Sequence, residues 1–157
     1  MKNNKIIIFC ILILGTIFLA GCSSNNTNGN TISNPDGVKV TLYKSQSCGC
    51  CAGYASALER QGFNVETVPT SNMAAIKDKY DVPSNMGSCH TAVIGDYFVE
   101  GHVPFEAIEK LLQEKPAIDG IALPGMPSGS PGMPGSKTEK WTIYSISNGQ
   151  ATEFMVI

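Results

Sequence analysis

The sequence has no excess of positive charge. Its 157 residues hold 11 Lys and Arg against 13 Asp and Glu, and charged residues make up only 15% of the chain. No segment gathers a basic face, which argues against nucleic acid as a partner. Long apolar runs are missing too. The one candidate, Ile6–Leu19, is short for a helix that must cross a bilayer. Histidine is down to 2 residues, His90 and His102. Against these shortages stand 6 cysteines, and three of them share the pentapeptide Ser47-Cys48-Gly49-Cys50-Cys51. The length suffices for one domain with its own core.

The start of the chain reads as an export signal. Lys2 and Lys5 precede the apolar run, which ends in Leu19-Ala20-Gly21-Cys22. That ending resembles a bacterial lipobox; the alternative, an uncleaved membrane anchor, fits the short run and its small residues followed by Cys less well. Residues 1–21 are therefore expected to be a lipoprotein signal peptide, with Cys22 lipidated and the product held on the outer face of a membrane, periplasmic or cell-surface. Several acyl chains anchor stably where one does not. Residues 22–36 are mostly Asn, Ser, Thr and Gly. They have almost nothing to bury and predict a flexible tether of about 20 Å.

Residues 37–157 carry the periodic signals. Val38, Val40 and Leu42 alternate with polar residues and predict a strand over 38–44. Cys51, Tyr54, Ala55 and Leu58 then share one face of a helix that stops near Gly62. Phe63–Val68 is a second strand, and Met73, Ile76 and Tyr80 mark a second helix ending before Pro83. Thr91–Ile94 and Tyr97–Glu100 flank Gly95-Asp96, a type II′ hairpin signal. A third helix runs from Pro104 to before Pro116. This order predicts an α/β, thioredoxin-like fold: a mixed sheet flanked by helices, with the first two strands parallel neighbours. Trp141–Ser147 and Thr152–Ile157 around Asn148-Gly149 predict an additional C-terminal β-hairpin. Residues 118–136 form a Pro/Gly/Met-rich loop in which Pro-Gly-Met-Pro occurs twice.

Chemistry concentrates in the thiols. With Cys10 in the signal and Cys22 lipidated, Cys48, Cys50, Cys51 and Cys89 remain. Cysteines this close in sequence close almost no loop, so they make poor structural staples. Cys48 and Cys51 have the C-x-x-C spacing of a thiol–disulfide oxidoreductase, at a helix start that lowers thiol pKa values. Cys50 intrudes as a third thiol, able to reshuffle a disulfide or to donate to a soft metal. Aligning the hairpin with that of glutaredoxin-like chains puts Cys89 and His90 at a proline turn that faces the active cysteines. Four clustered thiolates repel one another unless cations compensate, and thiolates select Cu(I). As many as four Cu(I) ions balance four thiolates, so a multinuclear cluster is the expected form. A single zinc prefers two separated pairs of ligands, and adjacent Cys50 and Cys51 fit it less well. His90 and His102 are further candidate ligands, as are Met126 and Met133, whose alternative role is to fill gaps or face solvent in a flexible linker.

Several stretches together resemble one family. Ser47-Cys48-Gly49-Cys50-Cys51, Gly62-Phe63-Asn64-Val65, Ser88-Cys89-His90-Thr91-Ala92, Glu100-Gly101-His102-Val103-Pro104, Pro124-Gly125-Met126-Pro127 and Gly129-Ser130-Pro131-Gly132-Met133 occur in that order. From about residue 38 to the C-terminus the chain resembles the CopG-like copper proteins. Tyr54 departs from the Trp expected in many relatives. The resemblance implies a thioredoxin-like fold, an extracytoplasmic site, copper binding through Cys48, Cys50, Cys51 and Cys89, and a link to copper resistance. His90, His102, Met126 and Met133 fall on its motifs. Copper ions are the expected partner, with a copper-transfer or redox partner protein as a further candidate. Three functions stand at this point: a protein that sequesters or redox-handles Cu(I), a thiol–disulfide oxidoreductase using Cys48 and Cys51, and a passive module holding structural zinc. Whether the chain is an enzyme is left open by the residues.

Overall fold

The structure, a computed structural model, describes residues 37–157. The expected signal peptide, Cys22 and the tether lie outside these residues. In β1 (Lys39–Ser45), Val40, Leu42 and Lys44 alternate onto one buried face. A tight turn leads into α1 (Gly49–Arg60), which buries Cys51, Tyr54, Ala55 and Leu58. The chain returns as β2 (Asn64–Thr70), parallel to β1 with Val65 beside Val40. α2 (Met73–Lys79) is capped by the Asn72 side chain, which accepts the Ala75 N–H at 3.1 Å. A 3₁₀ turn at Ser84–Met86 precedes the hairpin of β3 (His90–Ile94) and β4 (Tyr97–Glu100). At its turn Gly95 has φ +60° and Asp96 does not share the left-handed region, as a type II′ turn requires. α3 (Phe105–Glu114) begins after Pro104 and ends before Pro116.

The 118–136 span is not wholly loop. Gly120–Ala122 forms β5, parallel to β4 and antiparallel to β6 (Thr142–Ser147). Three buried residues are too few to show a period, so the strand was invisible in the sequence. Its effect is large. β6 and β7 (Gln150–Val156), joined through Asn148 and Gly149 with φ of 50° and 73°, do not stand apart as an appended hairpin. They extend one sheet of seven strands in the order β2-β1-β3-β4-β5-β6-β7.

One face of this sheet packs on α1 and α3, where Val40, Leu42, Tyr54, Leu58, Ile94, Val99, Ile108 and Leu111 form the main core. On the other face Phe98, Ala122 and Ile146 meet Tyr80, Val82 and Met86, which follow α2. The fold is α/β and thioredoxin-like, with a mixed sheet flanked by helices. Among the described residues no helix is long and apolar enough to cross a membrane.

Candidate metal centre

The site forms where β1 hands over to α1. Cys48 is the N-cap of α1, in extended backbone (φ −76°, ψ 98°), and its sulfur accepts the Cys51 N–H at 3.3 Å. Cys50 and Cys51 occupy the first turn, where unpaired N–H groups favour negative charge. Cys48 and Cys51 are joined in a disulfide with their Cα atoms 5.4 Å apart, while Cys50 and Cys89 are free thiols. Cys50 Sγ lies 3.5 Å from Cys48 Sγ and 4.0 Å from Cys89 Sγ. All four sulfurs fall within 4.8 Å of one another. The sheet brings Cys89 here: β3 pairs with β1, and Lys44 stands opposite His90 at the end of that ladder.

Cys89 also belongs to a second set. Its sulfur is 3.3 Å from His90 Nδ1 and 3.2 Å from His102 Nε2. His102 Nδ1 lies 2.7 Å from the Pro131 carbonyl oxygen. A carbonyl only accepts, so Nδ1 carries the proton and Nε2 turns its lone pair to Cys89. Such an outer hydrogen bond is how ligating histidines are commonly oriented. Both histidines are fully buried, and His90 Nε2 has no hydrogen-bond partner. Tyr54 walls this pocket. Its ring lies 4.6 Å from that of His90 and 5.4 Å from that of His102, and its hydroxyl donates to the Val103 carbonyl at 3.0 Å.

The Pro-Gly-Met loop closes over α1 instead of dangling. Gly129 N–H bonds Pro134 O, Met133 N–H bonds Ser130 O, and Ser130 is buried with its hydroxyl on Pro127 O. Gly132, at φ +81°, approaches α1 so closely that a Cβ there would lie 2.4 Å from Tyr54 N. The two repeats thus differ. Met133 follows the glycine pressed onto α1, whereas Met126, at φ +48°, is 40% exposed. The structure therefore brings together Cys48, Cys50, Cys51, Cys89, His90 and His102, and puts Met126 on the surface.

One group escaped the sequence reading. Glu100, at the end of β4, is 0% exposed. Its carboxylate accepts from the Ser88 N–H (2.5 Å), from the Thr91 hydroxyl (2.6 Å) and from the Lys77 ammonium of α2. A charged residue directly after Phe98-Val99 in a buried strand was the available signal.

Burial sets the proton inventory. It pushes the Cys89 thiol up to about 11, and the neighbouring Cys50 adds to the rise. It pulls His90 down to about 3, helped by His102 and by the Lys77 charge, and it lowers His102 as well. Both imidazoles are thus neutral donors at neutral pH, and Cys89 holds a proton that a metal would displace. The spacing of the donors is compact enough for one tetrahedral ion or for several bridged ones.

A family model described as a protein of unknown function, DUF411, matches residues 86–133, a stretch that holds Cys89 and both histidines but not the α1 cysteines. No match is found among curated proteins. Two solved structures of a copper resistance protein, CopG, in its form 1 and form 2, are each 39% identical. Each match covers 77% of this chain and 98% of that protein, with a TM-score of 0.71. The chain belongs to the CopG family. The CopG-like match accounts for the fold and reaches well beyond the 86–133 segment. The cysteines on α1 and at the start of β3, together with the histidines, are this CopG-family member's candidate centre.

Proposed function

We propose that this chain is an exported copper-binding lipoprotein that sequesters Cu(I), or handles its redox state, and so contributes to copper resistance. The observation that carries the reading is the convergence of four cysteine sulfurs within 4.8 Å, drawn from two distant parts of the chain. Soft thiolates suit Cu(I), and adjacent Cys50 and Cys51 fit the separated ligand pairs of a single zinc less well. A multinuclear, thiolate-bridged cluster is the form in which this cargo would be held. Cys89 is shared with His90 and His102, so imidazole nitrogens adjoin the thiolates. Imidazole also suits Cu(II), which is the basis for including redox handling in the proposal. Met133, which follows the glycine packed on α1, would add a thioether, and exposed Met126 would offer one to incoming copper. The lipid on Cys22 and a protein that delivers or receives the metal complete the proposal.

The Cys48–Cys51 disulfide favours a second reading, a thiol–disulfide oxidoreductase. The two readings use the same sulfurs and exclude each other in time, because sulfurs tied in a disulfide are not thiolate ligands. Single Cys→Ser variants separate them. Copper handling predicts that Cys50→Ser lowers the copper content of protein purified anaerobically from copper-fed cells, while disulfide reduction with insulin needs only Cys48 and Cys51. Unchanged copper content in Cys50→Ser, together with insulin reduction that fails only in Cys48→Ser and Cys51→Ser, would replace the first reading with the second.

A further inference from the structure

Resting on the copper reading above, we propose that Glu100 is a positioning residue for the ligand Cys89. Cys89 is the one cysteine of the four that α1 does not hold. Its own segment, Gly87–Cys89, lies between a 3₁₀ turn and β3. The backbone ladder holds His90, with the Gly101 N–H on its carbonyl, and the Glu100 carboxylate holds the residues on either side of Cys89. One oxygen takes the Ser88 N–H and the Lys77 ammonium, and the other takes the Thr91 hydroxyl, so residues on both sides of Cys89 are tied to one buried group. Gly101 adds to the fit, since a Cβ there would lie 2.9 Å from the Ser88 side chain. A buried carboxylate with a lysine is costly to desolvate and is weak evidence of stabilisation by itself. Here its donors converge on the backbone that aims Cys89 at Cys50, 4.0 Å away. Uncoupling Ser88 and Thr91 from that carboxylate lets Cys89 drift from the other three sulfurs, and angstrom-scale looseness is enough to spoil a preorganised site.

The test is the Cu(I) affinity of the reduced full-length protein against a competing chelator, read with the thiolate-to-copper absorption. Glu100→Ala is expected to bind roughly tenfold more weakly or worse, the scale of losing hydrogen bonds to a charged group. It is also expected to lose absorption and to have no further effect in a Cys89→Ser background. Glu100→Gln is expected to rescue binding. Its amide oxygen still accepts the Ser88 N–H, its NH₂ can donate to the Thr91 hydroxyl, and the part-exposed Lys77 side chain can turn to solvent. If Glu100→Ala does not fold, Glu100→Asp takes its place, since the shorter carboxylate keeps the charge for Lys77 but cannot reach all three donors. Wild-type affinity in a folded Ala or Asp variant, an equal loss in the Cys89→Ser background, or no rescue by Gln would overturn the inference. A wild-type protein that takes up no Cu(I) would instead remove the copper reading itself.

Discussion

His90 is fully buried, neutral and short of a hydrogen-bond partner at Nε2, an arrangement that carries a cost unless it serves a ligand. Burial depresses its folded-state pKa from 6.5 to about 3. The stability this contributes is complete above about 6.5 and is lost as the pH falls toward 3, because the unfolded chain then takes up a proton that the folded chain refuses. The melting temperature of the metal-free protein is therefore expected to drop across that acid window. Thermal scans of wild type and His90→Gln should show the variant with a flatter profile; equal slopes would argue against a neutral buried His90. Two other facts are decided at this scale. Cys50 carries the strongest sequence signal, because a C-x-x-C redox pair has no use for a third thiol between its members. His102 reads in the sequence as a histidine at a strand end, and only the Pro131 carbonyl, 29 residues away, reveals which of its nitrogens faces Cys89.

The element that most changes its meaning is the Pro-Gly-Met loop. Its composition reads as a linker, yet its hydrogen bonds and the Gly132 contact make it a lid on α1. Gly132→Ala would force a Cβ against Tyr54 N at a backbone angle that Ala disfavours. We expect a loss of about 2 kcal/mol in denaturant unfolding. The Pro131–His102 bond should weaken with it. A change within experimental error of wild type would mean the loop yields freely. Periodicity made most elements legible: the Val40/Leu42 alternation, the α1 face through Tyr54 and Leu58, and both hairpin turns matched their expected types. β5 was not legible, since a three-residue strand buried by its neighbours has no pattern of its own. Glu100 was missed for a related reason: its partners come from α2, the Ser88 segment and β3, a convergence that only the folded chain displays.

At the scale of the whole molecule, the sheet is what makes the site. Pairing β1 with both β2 and β3 sets the α1 cysteines beside Cys89, and β5 links the C-terminal hairpin to the same sheet while the loop reaches back over α1. The parts recognisable one at a time, a C-x-x-C spacing and a Cys-His pair, become one centre only through this topology. In the disulfide form two of its four sulfurs are tied up; reduction frees all four. The most direct measurement is an anaerobic Cu(I) titration of the full chain, run in parallel on reduced and disulfide forms and followed by metal analysis after desalting. A thiolate cluster predicts more than one and up to about four Cu(I) retained by the reduced chain, with far less retained by the disulfide form. Fewer than one Cu(I) per reduced chain, or equal uptake by both forms, would contradict the four-cysteine copper centre.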